Sequence, residues 1–301
     1  VVRLKIGFMG LLVLITAWII AILAPYGARF GYSVDRQEHN DDLNLLWHYQ
    51  LQNTEYGNLV DLNVRYIVVD PDDANITREQ LLELRRMGKI VLAYLSIGEA
   101  ENYRDYWKPW WQPGNPDFVA DENPNWRGNF KVRFWDPRWE EIVMQRLMKI
   151  VTQGYSGAYL DIVDAYEYWE DRNVPDAAIR MVRLVWKIST TAKSINPEFL
   201  IVPQNAIELY RYPEYRAAID GVGKEDTWHV GDVKRNPRDV NWALKYLRWI
   251  RNDGKFILAI DYPENRENIC AFYRNCFKED GFYCTVSNRE LNLPRPVTCK
   301  K

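Results

Sequence analysis

The sequence predicts an α/β protein of the (β/α)8 barrel class, and three observations predict it. Eight short runs of strand character recur between residues 43 and 293. They are continuously apolar rather than alternating, which is the pattern of parallel strands covered on both faces. Helical stretches with legible start and stop signals lie between them. A doubly wound sheet is the alternative, but it requires no particular number of strands, whereas eight closes a parallel barrel. One domain accounts for the length.

Taken in order, strands are expected at 45–50 (LLWHYQ), 64–70 (VRYIVVD), 89–98 (KIVLAYLSIG), 157–164 (GAYLDIVD), 199–205 (FLIVPQN), 220–226 (DGVGKED), 256–262 (FILAIDY) and 281–288 (GFYCTVSN). Thr77 and Gln80 form a capping box ahead of LLELRRM, and Gly88 stops that helix. Asp136 caps a helix with Pro137 at its first position and Gly154 at its end. Asn236, Pro237 and Gly254 repeat that arrangement. Residues 99–136 are too long for a simple connection, and they hold Tyr103, Tyr106, Trp107, Trp110, Trp111, Trp126, Phe134 and Trp135. Loops of that length are usually functional. An aromatic flap beside acidic strand ends looks like the wall of a saccharide cleft; the plainer alternative is a flap that only packs over the barrel mouth.

The segments outside the barrel speak to location. After Arg3 and Lys5, Ile6 to Ala24 runs 19 residues without a charge. That is the lower edge of a membrane-spanning length and too long for a typical signal-peptide core. Residues 1–28 are therefore expected to be an uncleaved signal anchor, with a cleaved signal peptide as the runner-up; residues 29–42 form a polar linker and 294–301 a tail. Either form places the barrel outside the cytoplasm, and the uncleaved form holds it to the membrane. Cys270, Cys276, Cys284 and Cys299 fall in the last 32 residues with no CxxC. That favours two disulfides over a zinc site, with three pairings open.

The candidate chemistry sits at the strand exits. Burying a carboxylate there costs several kcal/mol unless it is paired, and strand C-termini are where such folds keep their reactive groups. Asp161 ends the fourth strand and Glu225 the sixth. Two carboxylates facing one pocket can divide acid and base roles, as glycoside hydrolysis requires. Asp161 is expected to be the nucleophile or charge stabiliser and Glu225 the general acid/base; the alternative is an ion pair at the barrel mouth, for example Glu225 with Lys224 or Arg104. Asp164 is expected either in the pocket or as the cap of the next helix. Glu99 is expected to line the cleft. Tyr49, Asp70, Gln204, Asn205 and Tyr262 end strands, and with Tyr94 of the third strand and Trp135 of the flap they are expected to bind substrate. The net charge of −2 gives no case for nucleic-acid binding. His39, His48 and His229 have no ligand spacing, so neither a metal nor another cofactor is expected.

These residues also carry a resemblance. The segments WHYQLQ (47–52), YLSIGEAENYRDYW (94–107), WRGNFKVRFWDPRW (126–139), GAYLDIVDAYEYW (157–169), PQN (203–205) and DGVGKED (220–226) resemble glycoside hydrolase family 114, the endo-α-1,4-polygalactosaminidase-like barrels. The resemblance spans roughly residues 43–293. It implies a catalytic pair at Asp161 and Glu225, the pair already reached from strand position. It further implies an endo-acting hydrolase of an α-linked, galactosamine-rich polysaccharide. Fungal-type members carry Pro-Asp-Asn-Val-Asp where this chain has Leu160-Asp161-Ile162-Val163-Asp164, so the sugar is left open. A non-catalytic carbohydrate-binding barrel of the cell envelope is the competing expectation.

Overall fold

The computed structural model describes residues 45–292 and Cys299. The expected targeting segment, the linker and all of the tail except Cys299 lie outside the described residues. All eight expected strands form, at Trp47–Gln50, Tyr66–Val69, Ile90–Ser96, Gly157–Asp161, Leu200–Pro203, Gly221–Glu225, Phe256–Asp261 and Phe282–Val286. The first five pair side by side in parallel, and so do the last three. Two single bridges close the ring: Gln204 with Gly223 joins the fifth strand to the sixth, and Leu46 with Cys284 joins the eighth back to the first.

Alternation along these strands sets two layers. Tyr66 and Val68, Leu92, Tyr159, Val202, Leu258 and Ile260 fill the barrel interior with Trp47 and Tyr49. Their neighbours Ile67, Val69, Ala93, Leu95, Ala158, Leu160 and Ile201 face the surrounding helices. Because side chains alternate with a period of two, Tyr49, Asp70, Tyr94, Asp161, Gln204, Glu225 and Tyr262 all share the inward parity of their strands. Gly223 is an inward position that must lack a side chain, since a Cβ there would overlap the Tyr159 hydroxyl.

The helices start where their caps predict. Thr77 and Gln80 close a reciprocal capping box, Asp136 accepts from the Arg138 amide and Asn236 from the Arg238 amide, and Gly154 ends its helix in the left-handed conformation. Residues 99–136 are not an irregular flap. Glu99–Glu101, Asn129–Val132 and Val119–Glu122 form a three-stranded antiparallel sheet, over which Trp107, Trp111, Phe118 and Phe130 pack ring to ring. Disulfides Cys270–Cys299 and Cys276–Cys284 choose one of the three open pairings. Among the described residues no helix is long and apolar enough to cross a membrane.

Candidate active site

The strand exits open into a cavity of about 690 Å³, lined among others by Tyr49, Asp70, Tyr94, Asp161, Asp164, Gln204, Asn205 and Glu225. That is within the usual range of ligand sites, roughly 300–1,000 Å³.

Asp161 is held from both sides. The Tyr94 hydroxyl donates to its Oδ2 at 2.8 Å and the Ile162 amide to its Oδ1 at 2.8 Å. The backbone is strained just beyond Asp161: Ile162 has φ 57°, rare for a β-branched residue, and the fourth strand ends three residues earlier than the sequence suggested. Gly98 makes the turn possible, because a Cβ there would run into the Ile162 carbonyl and the Ala165 side chain. Burial, and after it the Glu225 carboxylate, pushes the Asp161 proton affinity well above the usual carboxylate range, against the pull of the Tyr94 and Ile162 bonds.

Glu225 receives the Tyr262 hydroxyl at Oε1 and the Asn205 side-chain amide at Oε2, 3.1 Å away. Asn205 in turn accepts from the Glu225 main-chain N–H at 3.2 Å, so one side chain fixes both the backbone and the carboxylate of the sixth strand. Arg104 does not reach Glu225. It pairs with Asp70, Asp72 and Glu101. The Lys224 ammonium turns to the Glu225 carbonyl oxygen, not to its carboxylate. The ion-pair alternative for Glu225 therefore has no partner among the described residues.

Asp164 stands at the N-cap position before the helix Ala165–Glu170, but its side chain makes no capping bond. No described residue donates to its carboxylate, which lines the cavity with its proton affinity pushed up to about 6 by burial, then by Glu167; Lys131 opposes the shift, and Glu225 and Glu99 add to it. Tyr49 donates to Gln204 at 3.1 Å, bridging the first and fifth strands across the cavity floor. Beneath them lies Tyr159, fully buried, its hydroxyl without a partner and within electrostatic reach of both Glu225 and Asp161.

Three expected residues sit elsewhere. Glu99 is 0% exposed: its place in the antiparallel sheet, opposite Lys131, turns it into an ion pair at 2.5 Å with a further bond from Asn123. Trp135 packs edge-on against Phe134 and Trp169 with Arg180 over its ring, on the helix side of the flap. Tyr262 is buried behind Glu225, which it supports without reaching the cavity wall. Two of the flap rings expected at the cleft, Tyr103 and Trp126, are exposed on its rim. The cavity also uses residues the sequence reading passed over, among them Asp72, Asp73, Arg127, Asn129, Arg289 and Glu290. Arg289 lies 4.2 Å from the Tyr262 ring centre and donates to both carboxylate oxygens of Asp226 at 2.7 Å.

The sequence profile of glycoside hydrolase family GH114 matches residues 34–300. The chain belongs to that family. This glycoside hydrolase is 41% identical to an uncharacterized protein of Deinococcus radiodurans over 229 residues, 73% of each chain. It is 34% identical to an uncharacterized protein of Methanocaldococcus jannaschii over 274 residues, 85% of this chain and 79% of the relative. Its fold is similar to the glycoside hydrolase domain of PelA from Pseudomonas aeruginosa, with a TM-score of 0.64, 18% identity and coverage of 82% of this chain and 95% of that domain. It is also similar to Aspergillus fumigatus Ega3 solved with galactosamine, with a TM-score of 0.65, 17% identity and coverage of 85% and 96%.

Proposed function

We propose that this glycoside hydrolase cleaves, internally, an α-linked polysaccharide rich in protonated amino sugars such as galactosamine, outside the cytoplasm. The observation that carries the reading is charge: Asp161, Asp164 and Glu225 share one cavity without an ion pair among the described residues. Beyond them Asp70, Asp72 and Glu101 crowd one arginine. The cavity lining carries more carboxylates than cations, Arg104, Arg127 and Arg289 being its arginines, and such an excess favours a substrate that brings positive charge. The galactosamine bound by the structurally similar Ega3 points the same way. The two disulfides suit an exported chain. Thiol counting on denatured protein from its own compartment tests that placement, and free thiols there would remove this support.

In the empty site burial and the Glu225 charge favour the protonated form of Asp161; in this reading the arriving cationic sugar reverses that preference, so that Asp161 acts as the anion and Glu225 as the acid. Glu225 carries the proton and gives it to the glycosidic oxygen as the bond to the anomeric carbon breaks. Asp161, ionised as the cationic sugar arrives, adds to that carbon, and the Tyr94 and Ile162 donors hold its attacking carboxylate in place. Water then loses a proton to Glu225, adds to the anomeric carbon and releases Asp161. Asp164, with no protein donor, is placed to accept from the sugar ammonium.

The test is reducing-sugar release from galactosamine and glucosamine polymers, each de-N-acetylated and re-acetylated. Cleavage is expected on the de-N-acetylated galactosamine polymer and is expected to fall as acetylation removes the charge. Preference for fully acetylated or neutral chains would overturn the charge argument while leaving the family assignment intact.

A further inference from the structure

Helix Pro237–Asn252 buries Ala243, Leu244, Leu247 and Ile250 against the barrel. Its outer side differs from an ordinary mixed-charge surface. Arg238, Trp242, Lys245 and Trp249 follow one another at spacings of four, three and four, so they form one stripe along the helix. Trp242 is 47% exposed and Trp249 38%. Tyr246 joins the two rings, 5.2 Å from Trp242 and 6.4 Å from Trp249 between ring centres. The adjoining segment extends the patch, with Arg216 5.4 Å from the Trp249 ring and Arg211 4.9 Å from that of Tyr212.

Four cations on this face have no direct carboxylate partner among the described residues. Arg248 and Arg251, on the flank of the same helix, pair with Glu279 and Asp280. Arg211, Arg216, Arg238 and Lys245 make no ion pair among the described residues; the bonds of the first two go to a hydroxyl and to main-chain carbonyls. A protein with a formal charge of −2 thus presents a local cationic face studded with aromatic rings. Isolated exposed rings are ordinary on a monomer, but a contiguous set beside unpaired cations marks a contact surface.

We propose that this face docks on an anionic lipid surface, with Trp242, Tyr246 and Trp249 at headgroup depth and the four cations against the headgroup charges. Trp and Tyr interleaved with Lys and Arg is the composition of membrane–water interfaces, and acidic headgroups supply the counter-charge that the protein withholds. A sugar chain fits less well. The rings are inclined at 60° and 32° to each other and offer no single flat platform, and an amino-sugar polymer would be repelled. The apolar run Ile6–Ala24 of the same chain is expected to bring the protein to a membrane in any case.

The experiment is hydroxyl-radical footprinting of the full chain reconstituted in vesicles of phosphatidylcholine alone or with phosphatidylglycerol. Oxidation of Trp242, Tyr246 and Trp249 should fall several-fold in the anionic vesicles and recover at high salt. Trp110 and Trp186, also exposed, serve as internal controls. The Arg238→Glu, Lys245→Glu double variant should lose the protection while keeping hydrolytic activity. The N-terminal segment is common to every arm and cannot produce the difference. Equal oxidation in both vesicle types overturns the proposal. So does protection already present in lipid-free protein, which would mean that a second copy covers the face. Protection by a soluble anionic glycan such as heparin, with none from vesicles, overturns it as well.

Discussion

Asp70, Glu99 and Glu101 each hold a cation, whereas Asp161, Asp164 and Glu225, at neighbouring exits of the same barrel, hold none among the described residues. The first group is buried and the second is half-buried along the cavity, so removing charge from water costs both, the first the more. On the flap side the cost is met locally: Arg104 serves three carboxylates and Lys131 serves Glu99. In the centre only hydroxyl and amide donors are supplied, and Asp161 responds by taking up a proton more readily. Charge that is paired at home builds the wall. Charge left unpaired, beside a backbone strained at Ile162, is what a catalytic centre needs.

The sharpest way to break that contrast is to change each group in turn. Asp161→Asn and Glu225→Gln preserve shape and remove a charge or a proton donor. Each should lower kcat on a cleavable polymer by at least about 10²–10⁴-fold, the usual worth of general acid–base help, with a larger loss for the nucleophile. KM and the circular dichroism spectrum should stay near those of the parent. A variant that retained near-parental turnover would show that the unpaired group is not the reacting one.

The opposite signature is expected on the paired side. Lys131→Met strips the cation from Glu99, whose second carboxylate oxygen already lacks a donor. Leaving one partner of a buried pair alone typically costs about 3–5 kcal/mol. Urea denaturation should therefore show a large fall in midpoint, with kcat per folded molecule within a few-fold of the parent. A large loss of turnover without loss of stability would erase the distinction between the two groups.

Which residues belong to which group was only partly legible in the sequence. Strand exits are local features, and strict alternation carries Asp161, Glu225, Tyr94, Gln204 and Tyr49 inward from their own strands, so the cavity floor could be read one strand at a time. Helix starts at Thr77, Asp136 and Asn236 are likewise local chemistry. Glu99 was different. Its direction is decided by pairing with Lys131 more than thirty residues away, in a sheet that no strand-by-strand reading reveals. Trp135 met the same difficulty: the aromatic richness of the flap was plain, but which rings face sugar and which face the helix Ala177–Ile195 depends on how that sheet is seated. Arg104 was visible as a possible partner; that it would gather Asp70 and Asp72 follows only once the second and third strand exits lie side by side. Cysteine spacing likewise could not choose among three pairings, since Cys284 lies on the eighth strand and Cys276 at the end of the preceding helix.

The finest expected effect separates the two groups by pH. Folding raises the proton affinity of Asp161 through burial and the Glu225 charge. An unfolded aspartate titrates near 3.9. Below that value both states carry the proton, and the group contributes its full share of stability. As pH rises towards the elevated folded value, the unfolded chain releases its proton first, and the folded state loses ground. Asp161→Asn removes that titration. The variant should therefore match the parent near pH 3–4 and become the more stable of the two as pH increases, levelling off above the folded value. A gain of roughly 1 kcal/mol would appear as about 2–4 °C in Tm for a domain of this size. Differential scanning calorimetry across that range reads the sign directly. A variant equally stable at every pH, or less stable at neutral pH, would mean that the centre is not under electrostatic strain, and that the absence of a counter-ion beside Asp161 has another cause.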